Sequence, residues 1–222
     1  MGKIALVLGG TGLVGSHVVN LLNNNTNFDQ IIVLSRRNAF ENLANVKTIV
    51  TDFKNLDFLV ELPKIDSIFS CLGTTKQLTP NKQAYLDIEL GIPQRVIDEL
   101  TKSDNIPNKI HVVSAVGASP NSKNFYMKMK GDLQIMIQST AIKHKYFYQP
   151  AVILGERDRA ERWWEKATVK ISKGIDKILS GSSLKYHTIE AKQIAQAMVA
   201  YDLKDDRDEV KFLLYGKMVE VQ

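Results

Sequence analysis

Five apolar residues that empty directly into glycines constrain this chain more than any other feature. Ile4-Ala5-Leu6-Val7-Leu8 is followed by Gly9-Gly10-Thr11-Gly12-Leu13-Val14-Gly15. The apolar run is too short for a helix and rich in strand formers, which reads as a buried strand. Val18, Val19, Leu21 and Leu22 then continue Leu13 and Val14 at helical spacing, so the glycines lie between a strand and a helix. In that setting Gly9 serves the sharp turn, Gly12 the close approach of a pyrophosphate, and Gly15 the packing of helix on sheet. The helix would aim its free N–H groups at the anion. Gly9, Thr11, Gly12, Leu13, Val14 and Gly15 are therefore candidates for the phosphate end of a dinucleotide. The plainer alternative is a glycine-rich turn in some other α/β domain.

A second buried strand, Gln30 to Leu34, ends in Ser35-Arg36-Arg37. An acidic residue at this place takes the ribose hydroxyls of NAD, whereas a basic one accommodates the 2′-phosphate of NADP. Two arginines, each with bidentate phosphate geometry, favour NADP(H) over NAD(H), unless both are only solvated surface charges. Val46 to Thr51 reads as a third strand with Asp52-Phe53 at its end. A carboxylate there suits the adenine amine and a backbone N–H suits a ring nitrogen, while an Asp after a strand is also a common helix cap.

Asp66 to Leu72 is a fourth strand, followed by Gly73-Thr74-Thr75, small enough to let a ribose lie on the backbone. Asn81 to Ser103 has a helical pattern with Gly91 and Pro93 inside it, so a break or kink is expected. Lys109 to Ser114 and Tyr146 to Gln149 read as strands five and six, Phe125 to Ile142 as a long helix, and Val210 to Leu214 as an edge strand. The alternation predicts an α/β fold, a doubly wound parallel sheet of six to seven strands. Residues 1–222 read as one domain in which 151–222 adds a small helical lid. That lid includes a helix from Asp158 to Leu179 with Trp163-Trp164, a second helix from Glu190 to Tyr201, and Arg157 and His187 as candidate substrate contacts.

Tyr126 and Lys130, four residues apart on the long helix, share one face. The spacing alone is common; its place is not, because the strand before that helix ends in Ser114. Reducing a carbonyl leaves an alkoxide that needs a proton, and a phenol with a pKa near 10 is a poor partner at neutral pH unless an ammonium lowers it. Lys130 supplies that ammonium and a hydrogen bond to the nicotinamide ribose, while Ser114 orients and polarises the substrate oxygen.

With Gly9 to Gly15, Ser35-Arg36-Arg37, Ser70-Cys71-Leu72-Gly73-Thr74-Thr75, Ser114-Ala115-Val116-Gly117-Ala118 and Tyr126-x-x-x-Lys130-Gly131-Asp132, the chain resembles the short-chain dehydrogenase/reductase superfamily, atypical branch. Within it the chain is similar to the Tat-interacting-protein type and its bacterial NAD(P)H-binding relatives. The resemblance implies an NADP(H)-binding Rossmann domain with a Ser114, Tyr126, Lys130 centre. It adds Cys71, Leu72, Gly73, Thr74, Pro150, Ala151 and Val152 to the cofactor contacts, the last two meeting the carboxamide through their backbone. Two departures stand out: Ala115 where relatives carry a second serine, and Gln149-Pro150-Ala151 where they carry Arg-Pro-Gly.

The expected function is NADP(H)-dependent hydride transfer to a small carbonyl compound. The alternative is a non-catalytic NADP(H)-binding sensor that works through a protein partner. A net charge of +5 with no block of like charges points to no nucleic-acid face. One cysteine, Cys71, excludes an internal disulfide. No metal site, membrane span or signal sequence is read, and a cytoplasmic protein is expected.

Overall fold

In β1 (Lys3–Leu8) Ala5 and Val7 point one way, Leu6 and Leu8 the other, and all four are buried. A strand covered on both faces belongs inside a parallel sheet with helices on each side. The computed structural model describes residues 2–75, 78–155, 187–205 and 207–221. Along them follow α1 (Leu13–Asn23), β2 (Phe28–Ser35), β3 (Val46–Val50), β4 (Ser67–Ser70), α2 (Lys82–Leu86), α3 (Ile92–Lys102), β5 (Lys109–Val113) and α4 (Phe125–Gln138). After them come β6 (His144–Tyr148), β7 (Val152–Leu154), β8 (Thr188–Glu190), α5 (Ala191–Leu203), β9 (Val210–Leu213) and α6 (Tyr215–Val219).

Among the described residues seven strands form one parallel sheet in the order β3-β2-β1-β4-β5-β6-β9, the doubly wound arrangement expected. Leu6 stands opposite Ile32 of β2 and Ile68 of β4, which fixes the register at the centre. One face packs Ala5, Val7, Val18 and Val19 against Ile194 and Met198 of α5. The other packs Leu6 and Leu8 against Val96 and Ile97 of α3 and Ile137 of α4. Strand order reverses between β1 and β4, and ligands of such sheets bind outside the carboxyl ends of the strands at that point.

Three features differ from the sequence reading. The short parallel pair β7 and β8 was not expected, since strands of three residues are too short to carry a usable period. Of the break or kink expected at Gly91 and Pro93, the structure shows no break but a π-helical turn, Asp87–Gly91, through which the helix continues. Pro93 has no N–H to give, and the wider turn just before it absorbs one residue without ending the helix. Third, the helix α4 stops at Gln138, short of Ile142. The helix read from Asp158 to Leu179, with Trp163-Trp164, and Arg157 lie outside the described residues.

A buried polar network ties the sheet to α5. His111 on β5 reaches Asp202 with Nε2 at 3.2 Å and Tyr148 with Nδ1 at 2.9 Å, and stacks between Phe69 and Tyr146. Asp202 also accepts from Ser67 Oγ and from Lys3 Nζ at 2.8 Å. Lys109 Nζ donates to the Asp202 carbonyl at 2.6 Å, one of the last carbonyls of the helix, where a cation is favourable.

Candidate active site

The loop after β1 is shaped by contacts that only glycine allows. Gly9 has φ +75°, in the left-handed region, and a Cβ there would lie 2.7 Å from the Cys71 carbonyl oxygen in the loop after β4. A Cβ on Gly15 would lie 2.2 Å from the Gly9 oxygen, so the first turn of α1 rests directly on the turn. Gly12 donates to the Gly9 carbonyl at 2.9 Å and caps α1 without any side-chain bond to the helix N-terminus. Thr11 and Gly12 are exposed, Leu13 half-buried, Val14 buried. This bare backbone cradle under an uncapped helix fits a pyrophosphate.

Ser35 is buried at the end of β2, while Arg36 and Arg37 are exposed and form no ion pair among the described residues. Asp52 caps no helix: its Oδ1 accepts from Lys54 N at 2.9 Å and its carboxylate stays exposed. Phe53 is buried with φ +63°, and its N–H donates to Thr51 Oγ1 at 3.0 Å. A backbone N–H at Asp52-Phe53 was expected to meet an adenine nitrogen; that of Phe53 is engaged within the chain, where the left-handed turn folds it back on Thr51. Next to it, Lys54, Asn55, Leu56, Asp57, Arg95 and Glu99 line a cavity of about 300 Å3.

The loop after β4 abuts the glycine turn, with Cys71 N donating to the Leu8 carbonyl at 2.9 Å. Gly73 is exposed, Cys71, Leu72 and Thr74 half-buried. Burial pushes the Cys71 thiol up to about 12 against the pull of Lys130. Pro150 is buried and accepts from Val116 N at 3.1 Å, Ala151 is half-buried, and Val152 opens β7. The His187 ring lies 5.2 Å from that of Tyr215, tilted by 37°.

Asn124 caps α4, accepting from Met127 N at 3.2 Å, and so sets Tyr126 in the first turn and Lys130 one turn on. Tyr126 is 36% exposed and Lys130 only 3%. Lys130 Nζ donates to the Val113 carbonyl at 2.9 Å and pairs with Glu89 Oε2 at 2.8 Å. Beside Val113, Ser114 is buried, and its Oγ accepts from Gln134 Nε2 at 2.7 Å, leaving the hydroxyl hydrogen to donate elsewhere.

The electrostatics depart from the sequence reading. Burial lifts the Tyr126 phenol above its usual range; Lys130 draws it down, and Glu89 pushes it up again. Burial would strip the Lys130 proton, but Glu89 and Tyr126 outweigh it, so Lys130 is held above its usual range and stays an ammonium. An ammonium with a carboxylate at 2.8 Å lowers a neighbouring phenol less than a lone one. Glu89, Tyr85 and Gln134 were missed from the sequence; the Gly91/Pro93 interruption was the one sign, because it marks the π turn that carries Glu89 inward.

Comparison with known proteins follows the same lines. A family model for the NAD dependent epimerase/dehydratase family matches residues 5–131. Protein FMP52, mitochondrial, of Eremothecium gossypii is 28% identical over 213 residues, covering 94% of this chain and 92% of that protein. A short chain dehydrogenase family protein from Francisella tularensis superposes with a TM-score of 0.71 at 19% identity, covering 98% of this chain and 99% of its own. The human epimerase family protein SDR39U1, solved with NADPH, has a TM-score of 0.65 at 17% identity over 96% of this chain and 74% of its own. The cytoplasmic expectation is corrected by these relatives: fungal proteins across the set are named mitochondrial. Among the described residues no helix is long and apolar enough to cross a membrane. With more than half its length matched, the chain belongs to the NAD dependent epimerase/dehydratase family, whose members are NAD(P)-dependent enzymes of the oxidoreductase and epimerase type.

Proposed function

We propose that this protein is an NADP(H)-dependent oxidoreductase acting on a small carbonyl compound, with Tyr126 as the proton-donating group. The observation that carries the reading is the pairing of a part-exposed phenol with a buried ammonium one helical turn away, beyond the carboxyl ends of the central strands where the glycine cradle also lies. When bound, the dinucleotide supplies the hydride. The chain supplies the rest. The backbone of Gly9 to Gly15 holds the pyrophosphate, and Arg36 and Arg37, unpaired among the described residues, receive a 2′-phosphate. Gly73 and Thr74 offer backbone to a ribose, with Asp52 available to the adenine amine and Pro150, Ala151 and Val152 to the carboxamide.

Tyr126 gives its proton to the alkoxide as the carbonyl is reduced; desolvation holds the phenol above its usual range, and the charge of Lys130 draws it back towards the range of a working acid. Lys130 stabilises the phenolate left behind. Ser114 directs its hydroxyl hydrogen to the substrate oxygen. NADPH consumption with a panel of aldehydes and ketones tests the reading. Tyr126→Phe should abolish turnover by 100-fold or more, on the order of the usual worth of a general acid, while retaining NADPH binding. Undiminished turnover in that variant refutes the role of Tyr126, and tight NADPH binding with no turnover in the wild type leaves the nucleotide-sensing alternative.

A further inference from the structure

Glu89 sits where the centre converges. It is 2% exposed: Oε1 accepts a hydrogen bond from Thr74 N at 2.9 Å, while Oε2 has no hydrogen-bond partner among the described residues and is met by the Lys130 ammonium as an ion pair at 2.8 Å. Lys130 passes the contact on to the Val113 carbonyl at 2.9 Å. Tyr85, one turn earlier on the same interrupted helix, donates to the Thr74 carbonyl at 2.8 Å. The loop after β4, the π turn and α4 therefore meet at one buried carboxylate. Such a pair brings little net stability, because apolar side chains of similar volume pack as well. Its location points to another use.

We propose that Glu89 is a positioning residue of this centre: it clamps the Lys130 ammonium against the end of β5 and supplies the counter-charge that sets how strongly Lys130 acts on Tyr126. The proposal rests on the oxidoreductase reading for what the Tyr126–Lys130 pair does, though not for how the pair is held. The π turn is what delivers Glu89 inward, and such turns recur at functional sites. Among the described residues, the charged and titratable groups around Tyr126 are Lys130 on its own helix and Glu89 and Tyr85 on the helix opposite, with Cys71 behind Lys130. Removing the Glu89 charge leaves the ammonium alone beside the phenol, which favours phenolate. Removing Lys130 leaves the carboxylate alone, which opposes it. A carboxylate with only a packing role would not give displacements of opposite sign.

The test is a spectroscopic titration of tyrosinate in the full chain without cofactor, the Tyr126 component being the part missing from Tyr126→Phe. In Glu89→Gln that component should move to lower pH by about one unit or more, and in Lys130→Met it should move higher. Glu89→Asp, which withdraws the charge by one methylene, should give a smaller downward displacement and carries the test should Glu89→Gln not fold. A Tyr126 component that stays in place in a folded Glu89 variant overturns the proposal. Neither cofactor nor substrate is present, so a wild type that consumes no NADPH overturns the oxidoreductase reading and leaves this result to stand by itself.

Discussion

Gly15→Ala puts the glycine cradle to a quantitative test. The added Cβ would lie 2.2 Å from the Gly9 oxygen, 2.8 Å from the Gly9 carbonyl carbon and 2.9 Å from the Gly10 Cα, all backbone atoms with no rotamer to change. An unstrained contact needs roughly 3.5 Å, so α1 and the turn must part by about 1 Å. Overpacking of this kind costs about 1–3 kcal/mol. For a chain of this length that lowers Tm by roughly 2–4 °C per kcal/mol, or about 6 °C at the middle of the range. The same displacement moves the helix N–H groups off the pyrophosphate, and losing one charge-assisted hydrogen bond costs about 1.5–3 kcal/mol, a loss of roughly 10- to 100-fold in affinity. Thermal melting and titration of NADPH fluorescence read both effects on one sample. A variant that melts lower yet binds NADPH as tightly as the wild type would refute the placement of the phosphate on α1. One that melts unchanged would refute the packing of α1 on the turn.

Three further outcomes follow from named contacts. Arg36→Ala should weaken NADPH by about 10-fold or more and NADH little, measured by parallel titrations; equal losses contradict a 2′-phosphate contact. Asp202→Asn should destabilise by about 1–3 kcal/mol, since it takes the carboxylate away from Lys3, Ser67 and His111. Burial raises the Asp202 carboxyl, but His111, Lys3 and Ser67 outweigh burial and hold it well below the usual carboxylate range. Its folded pKa being depressed, that stability is present above the unfolded pKa of about 4 and is lost as pH falls below it, so denaturant titrations at neutral and acid pH should show the wild-type advantage shrink only in acid. Cys71, half-buried and pushed up to about 12, should react with iodoacetamide far more slowly in the native than in the unfolded protein at mildly alkaline pH; equal rates contradict a raised thiol.

The parts of the fold that could be read from sequence were those with a strong local signal. Ile31 to Leu34 and Leu6 to Leu8 are apolar on both faces, which marks interior parallel strands wherever their neighbours lie. The cradle was legible because glycine is needed by the backbone itself, at Gly9 for its φ and at Gly15 for contact. The electrostatic state of the centre was not legible, because it depends on a meeting of distant segments. Glu89 and Lys130 are brought to 2.8 Å only by the stacking of two helices on one sheet face and by a π turn that no periodicity announces. The bond from the Phe53 N–H to Thr51 was not legible for a similar reason: a left-handed residue other than glycine turns it onto Thr51, and sequence gives no sign of that φ. His111 and Asp202 also escaped notice, since nothing in either segment reveals that β5 and α5 bury them together.

A crystal structure of the complex with NADPH tests the central claim most directly. The account predicts the pyrophosphate on the backbone of Gly9 to Gly15, the 2′-phosphate at Arg36 and Arg37, and the nicotinamide beside Tyr126 with its ribose within reach of Lys130. NADPH seated instead in the cavity lined by Lys54, Arg95 and Glu99, or with its nicotinamide turned away from Tyr126, would contradict it.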